Sequence, residues 1–139
     1  MNVKKKALFV CTGNACRSQI AEGILRYLAN DYFEVFSAGT TPSQVHPLSV
    51  KVMDEWGIDI SHHTSDHLED FLDKEIDIVI TLSTLAQELC PSFPGKVEQL
   101  HWDVPDPFPG WVEDSHFLPK FREVRNIIRG RIDTFLQNY

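Results

Sequence analysis

The chain has 139 residues, of which 42% are hydrophobic, 11% aromatic and 24% charged. That balance suits one globular domain over 1–139 and argues against disordered or low-complexity classes. Lys and Arg number 13 against 20 Asp and Glu, a formal net charge of −7, which argues against a general binder of nucleic acid or of an anionic membrane.

The first element in chain order is the apolar run Ala7–Val10, which suits a strand buried on both faces, as in a parallel sheet. From Arg17 to about Asn30, Ile20, Ala21, Ile24, Leu25 and Leu28 recur at helical spacing. Phe33–Phe36 reads as a second strand, ended by Ser37, Ala38 and Gly39. Pro47 opens a helix carrying Leu48, Val52, Met53 and Trp56, with Gly57 just past its end. Ser65 is expected to cap a short helix that presents Leu68, Phe71 and Leu72. Ile76–Leu82 is a third strand, rich in β-branched residues. Ser83–Cys90 forms two helical turns stopped by Pro91, Val97–Trp102 is a fourth strand, and the three prolines of 103–110 mark a loop. Phe117, Phe121, Val124, Ile128, Ile132 and Phe135 lie on one face of a long last helix, with Lys120, Arg122, Arg125, Arg129 and Arg131 expected on its solvated side. Strands alternate with helices throughout, so the expected class is α/β with a parallel sheet covered on both faces.

Three cysteines, Cys11, Cys16 and Cys90, are too few for a secreted disulfide framework. The run Ala7–Cys11 is too short for a signal-peptide core or a membrane span. A cytoplasmic monomer with reduced thiols is the expectation.

The chemistry gathers where the first strand meets the first helix. Cys11-Thr12-Gly13-Asn14-Ala15-Cys16-Arg17-Ser18 is a Cys, five residues, an Arg and a hydroxyl. A strand-to-helix turn aims backbone N–H groups inward, and the helix N-terminus adds partial positive charge, which together cradle an anion. Gly13 and Asn14 tolerate the left-handed backbone that such a loop needs. Arg17 offers a planar fork to two oxygens of a tetrahedral oxyanion. A thiol in this field is favoured as thiolate, the nucleophilic form, and Ser18 can donate a hydrogen bond to it. In an open α/β sheet this strand end is also where ligands bind, if the strand is central. The bland alternative is a buried Cys before a basic helix start. A departing oxygen needs a proton donor, and Asp106, in a proline-stiffened loop after the fourth strand, is the candidate; an ordinary Asp-Pro turn is its alternative.

Residues 11–23 resemble the low-molecular-weight protein tyrosine phosphatase superfamily, in particular its arsenate reductases, which are coupled to thioredoxin, glutaredoxin or small thiols. Gln19 stands where the phosphatases usually carry Pro. Residues 37–39, 57–61, 64–66 and His101-Trp102 continue the likeness over nearly the whole chain. The resemblance implies a four-stranded parallel sheet in the order 2-1-3-4. It also implies Cys11 as nucleophile, residues 12–18 as the oxyanion loop and Asp106 as general acid. Some reductases of this family bind a monovalent cation behind the loop, at positions matching Asn14, Glu22, Ser37 and Asp66; each also has a bland reading as a cap or loop bond. No tightly bound cofactor is implied beyond an external thiol reductant.

Two departures matter. The thioredoxin-coupled branch carries two further cysteines after the third strand. One matches Cys90, but the other falls on Ser83, whose hydroxyl cannot serve in a disulfide relay. Cys90, Cys16 or an external thiol must then resolve a Cys11 adduct; Cys16 could equally be a small loop-filling residue. The phosphatase branch usually places two tyrosines where this chain has Phe108 and Pro109, with Trp111 close by. His62, His63 and His67 have no obvious acidic partner, and a transition-metal site is not expected there. The leading expectation is an arsenate reductase serving arsenic resistance. The alternatives are a phosphatase acting through a cysteinyl-phosphate and a non-catalytic oxyanion- or phosphoprotein-binding module.

Overall fold

The computed structural model describes residues 3–139. Its strands are β1 (Lys5–Cys11), β2 (Phe33–Gly39), β3 (Ile78–Thr81) and β4 (Glu98–His101). Its helices are α1 (Arg17–Ala29), α2 (Pro47–Asp54), α3 (Thr84–Leu89) and α4 (Leu118–Leu136), with short 3₁₀ turns at Leu68–Phe71 and Ser115–Phe117. The sheet is wholly parallel in the order β2-β1-β3-β4. β1 is central, so its carboxyl end is the point where the chain order reverses. The register sets Cys11 against Gly39 and Val10 against Thr81.

Residues 7–10 of β1 are fully buried, and their side chains alternate between two cores. Ala7, Phe9 and Cys11 face α1, α2 and α4, packing with Ile20, Ile24, Met53, Phe121 and Ile128. Leu8 and Val10 face the other side, with Leu68, Val79, Ala86 and Phe93. That second face is thinly covered, by one six-residue helix and one 3₁₀ turn. Among the described residues no helix is long and apolar enough to cross a membrane.

Three local expectations are corrected. Ser65 caps nothing; its hydroxyl reaches the carbonyl of Asn14 at 2.6 Å, and His67 caps a single 3₁₀ turn instead. α2 stops at Asp54, and the chain reverses through Gly57 at φ 73°, a conformation that favours glycine. Arg125 does not belong to the solvated face of α4. It is buried, donates to Val52 O and Glu55, and lies 4.1 Å over the Trp56 ring, because its long stem reaches back across α2.

Candidate active site

Beyond Cys11 the chain turns sharply into α1 through residues 12–16. Of the two residues expected to take a left-handed backbone, Asn14 does so (φ 48°) and Gly13 does not. The carbonyls of this loop are tied from outside. Thr12 O accepts from Thr41 N (2.8 Å) and Gly13 O from Ser43 N (3.0 Å). Asn14 O accepts from Gln19 Nε2 (3.0 Å) and Ser65 Oγ, and Ala15 O from His46 N and Ser49 Oγ (both 3.1 Å). A trans peptide points its N–H opposite to its C=O. Outward carbonyls at 12–15 therefore turn the N–H groups of 13–16 toward the cleft, where an anion would sit.

Gly39, expected from the sequence as the end of the second strand and as part of the family likeness, also makes room for the loop. A Cβ there would lie 2.7 Å from Thr12 O and 2.9 Å from Asn14 N, so only glycine lets the loop pass β2.

A directional chain of hydrogen bonds reaches Cys11. Asn14 Nδ2 donates to Ser18 Oγ at 2.7 Å and to Ser37 Oγ at 3.0 Å. Ser18 thereby has its own proton free for Cys11 Sγ, 2.9 Å away. Asn14 is itself fixed by Asp66 N–H at its Oδ1 (2.9 Å). Gln19 extends the network: it donates to Asn14 O and Thr64 O, and its Oε1 accepts from His63 Nδ1 at 2.9 Å. Burial pushes the His63 pKa down, which fits a neutral ring whose Nε2 faces Arg26 Nη1 at 3.0 Å.

Arg17 is buried at the mouth of the cradle, with Nη1 donating to Val104 O at 3.0 Å. Its Nη2 lies 3.7 Å from Asp106 Oδ2. The Asp106 side chain is 56% exposed, so solvent reaches the carboxyl, and its Oδ1 accepts from Phe108 N at 3.0 Å. The cleft over the loop has a volume of about 270 Å³, with Cys11, Cys16, Arg17, Asp106, Phe108 and Trp111 among its walls. The structure thus brings Cys11, Arg17 and Asp106 to one opening, with Ser18 buried behind Cys11.

The other thiols are placed differently. Cys16 is buried, and desolvation pushes its pKa up to about 12, only partly offset by a hydrogen bond with Ser49. At neutral pH it is a thiol, which makes it a poor attacking group. Cys90 ends α3 and packs against the core on the opposite face of the sheet from Cys11; burial pushes its pKa up as well. All three cysteines are free. Ser83, by contrast, touches the loop, with its Oγ 3.1 Å from Thr12 Oγ1.

Asn14, Glu22, Ser37 and Asp66 do come together, but not as an oxygen cage. Asn14 turns its NH₂ group to Ser37 and commits its oxygen to Asp66 N–H, while Ser37 donates to Glu22 Oε1 at 2.5 Å. The guanidinium of Arg26 already supplies positive charge there, with Nη2 at 2.5 Å from Glu22 Oε2 and 2.6 Å from Val35 O. This arrangement does not fit a hard cation, which needs free oxygens converging on one point.

Residues 6–139 match the family model described as low molecular weight phosphotyrosine protein phosphatase. The chain belongs to this family. Within it, the chain is 42% identical over 134 residues to the arsenate reductase of Halalkalibacterium halodurans, covering 96% of both chains. A solved structure titled an arsenate reductase in the phosphate binding state superposes with a TM-score of 0.82 at 37% identity, over 96% of this chain and 98% of that one. The thioredoxin-dependent arsenate reductase of Corynebacterium glutamicum gives a TM-score of 0.77 at 34% identity, over 97% of this chain and 61% of that one. The family's sheet order, 2-1-3-4, is the order found here.

Proposed function

We propose that this protein reduces arsenate to arsenite. One observation carries the reading: Cys11, backed by Ser18, shares a cleft with Arg17 and Asp106 in a chain 42% identical to a named arsenate reductase. The loop N–H groups and Arg17 hold the oxyanion. Cys11 thiolate forms a bond to arsenic as one As–O bond breaks, and Asp106 protonates the departing oxygen, which leaves as water. A second thiolate then attacks Cys11 Sγ. The S–S bond forms, the S–As electron pair stays on arsenic, and As(V) leaves as As(III) in arsenite. An external thiol reductant reopens the disulfide.

Cys90 is the protein thiol proposed for that second attack. It must first cross to the face of Cys11, so the α3 segment has to open. Leu85, Gln87, Glu88 and Leu89 of this six-residue helix are exposed, so local opening is cheap. The competing route, attack by a small external thiol, is favoured by the serine at position 83 and the open cleft. Mass spectrometry after arsenate turnover tests the choice. A Cys11–Cys90 disulfide, with activity lost in Cys90→Ser, supports the internal route; a mixed disulfide on Cys11 with active Cys90→Ser refutes it.

Phosphate-ester hydrolysis is the second reading. It is favoured by Phe108 and Trp111, which stand 41% and 46% exposed beside the cleft as an apolar wall. Parallel assays of arsenate reduction and aryl phosphate hydrolysis separate the two. Hydrolysis without arsenate reduction under thioredoxin, glutaredoxin and small-thiol systems would overturn the reductase reading. A mere binding module needs no nucleophile, so inactivity toward both substrates is the outcome that favours it.

A further inference from the structure

His46 is fully buried at the N-cap of α2, and its ring lies between the two loops of the site. Ser, Asp or Asn usually fills such a position, with one acceptor for the helix. Imidazole supplies that acceptor and keeps a second nitrogen. Nδ1 accepts Leu48 N–H at 3.0 Å, so the ring proton sits on Nε2, which donates to Gly110 O at 2.8 Å. The ring stacks on Trp111, with centroids 5.3 Å and planes 16° apart, and meets Phe108 edge-on at 5.7 Å. Its backbone N–H is bound to Ala15 O, within the cradle.

We propose that His46 is a positioning residue for the general acid: it ties the loop that carries Asp106 to the cradle that carries Cys11. The inference rests on the reading of Asp106 as proton donor. Arg17 fixes this loop at Val104, ahead of the acid; His46 fixes it at Gly110, behind the acid. Among the described residues, Asp106 itself is held only by a local bond to Phe108 N and a 3.7 Å approach to Arg17. Its aim therefore depends on where the two ends of the loop are fastened. A misplacement of about 1 Å in a reacting group costs on the order of 100-fold in rate.

His46→Asn separates this role from capping. The Asn oxygen still caps α2, but no donor reaches Gly110 and no ring stacks on Trp111. The expected result is a fall in kcat for arsenate of roughly 10- to 100-fold. Binding of inorganic phosphate to the cradle should change by less than about threefold, the range of an uncoupled site. In an Asp106→Asn background the same replacement should cost less than about threefold, because two residues serving one step are not additive. A purely structural role would lower both backgrounds by the same factor, and that result overturns the proposal. Amide exchange across 103–112 should speed up by roughly tenfold while 12–16 keep their protection, and unchanged exchange overturns the proposal too. Trp111→Leu leaves α2 and its cap intact, and should give a smaller loss confined to kcat if His46→Asn folds poorly. Wild-type protein inert to arsenate would sink the reductase reading alone, and the exchange measurement would then decide on His46.

Discussion

The two loops that meet at the cleft are built in opposite ways. Residues 12–16 are mostly buried, and the four carbonyls from Thr12 to Ala15 are each bound by a neighbouring segment. The loop 103–114 is mostly exposed and is fastened to the rest of the site by Val104 O on Arg17 and Gly110 O on His46. As the proposed anion cradle, the first is held ready by its neighbours, so its dipoles would need no rearrangement when an anion arrives. The second carries Asp106, the proposed proton donor, on a loop that is tethered more lightly. On the proposed mechanism, binding belongs to the more firmly held loop and proton delivery to the lightly tethered one.

The largest expected effect breaks the rigid side. Cys11→Ser keeps the shape and the contact with Ser18, so circular dichroism should be unchanged, yet turnover should fall below about a hundredth of wild type because the hydroxyl is a far weaker nucleophile. Activity above that level would end the assignment of Cys11.

Asp106→Asn breaks the other side. Turnover of arsenate should drop roughly 10²–10⁴-fold, the range of a general acid, while calorimetric binding of phosphate ion stays near wild type. Loss of both together would mean that the two loops do not divide the work.

Gly39→Ala tests whether rigidity matters to binding. The new methyl collides with Thr12 O and Asn14 N, and the loop has to shift. Overpacking of this kind costs about 1–3 kcal/mol, read as a lower urea midpoint. Phosphate affinity should fall with it; a stable variant with intact affinity would show that the cradle has slack.

The smallest effect lies away from both loops. Arg122 and then Arg125 hold the Glu55 pKa at about 2, below its ordinary 4.5. A depressed carboxyl contributes stability fully above its unfolded pKa and loses it as pH falls through the folded value. Wild type should therefore lose this contribution between about pH 4.5 and 2, and Glu55→Gln should flatten that limb. Glu55 and Arg122 face solvent, and a glutamine at position 55 keeps an oxygen for the buried Arg125, so the change at neutral pH should be about 1 kcal/mol or less, with turnover unaffected.

Much of this protein was legible without coordinates because the signals are local. The apolar run before Cys11, the helical spacing from Ile20 to Leu28 and the face from Phe121 to Phe135 each report a period that one segment carries by itself. Cys11, Arg17 and Ser18 were legible for the same reason, since eight consecutive residues hold them. What the sequence could not determine depends on contacts between distant segments. Gly39 is required because β2 runs beside a loop 25 residues earlier, where Asn14 leaves no room for a Cβ. His46 joins two loops only because α2 starts between them, and its second nitrogen finds Gly110 at a separation of 64 residues. Cys90 and Ser83 flank the same short helix, yet one faces the far core and the other touches Thr12. Spacing sets which face of an element a residue occupies, but which neighbour covers that face is decided only when the sheet closes its order and the helices pack against it.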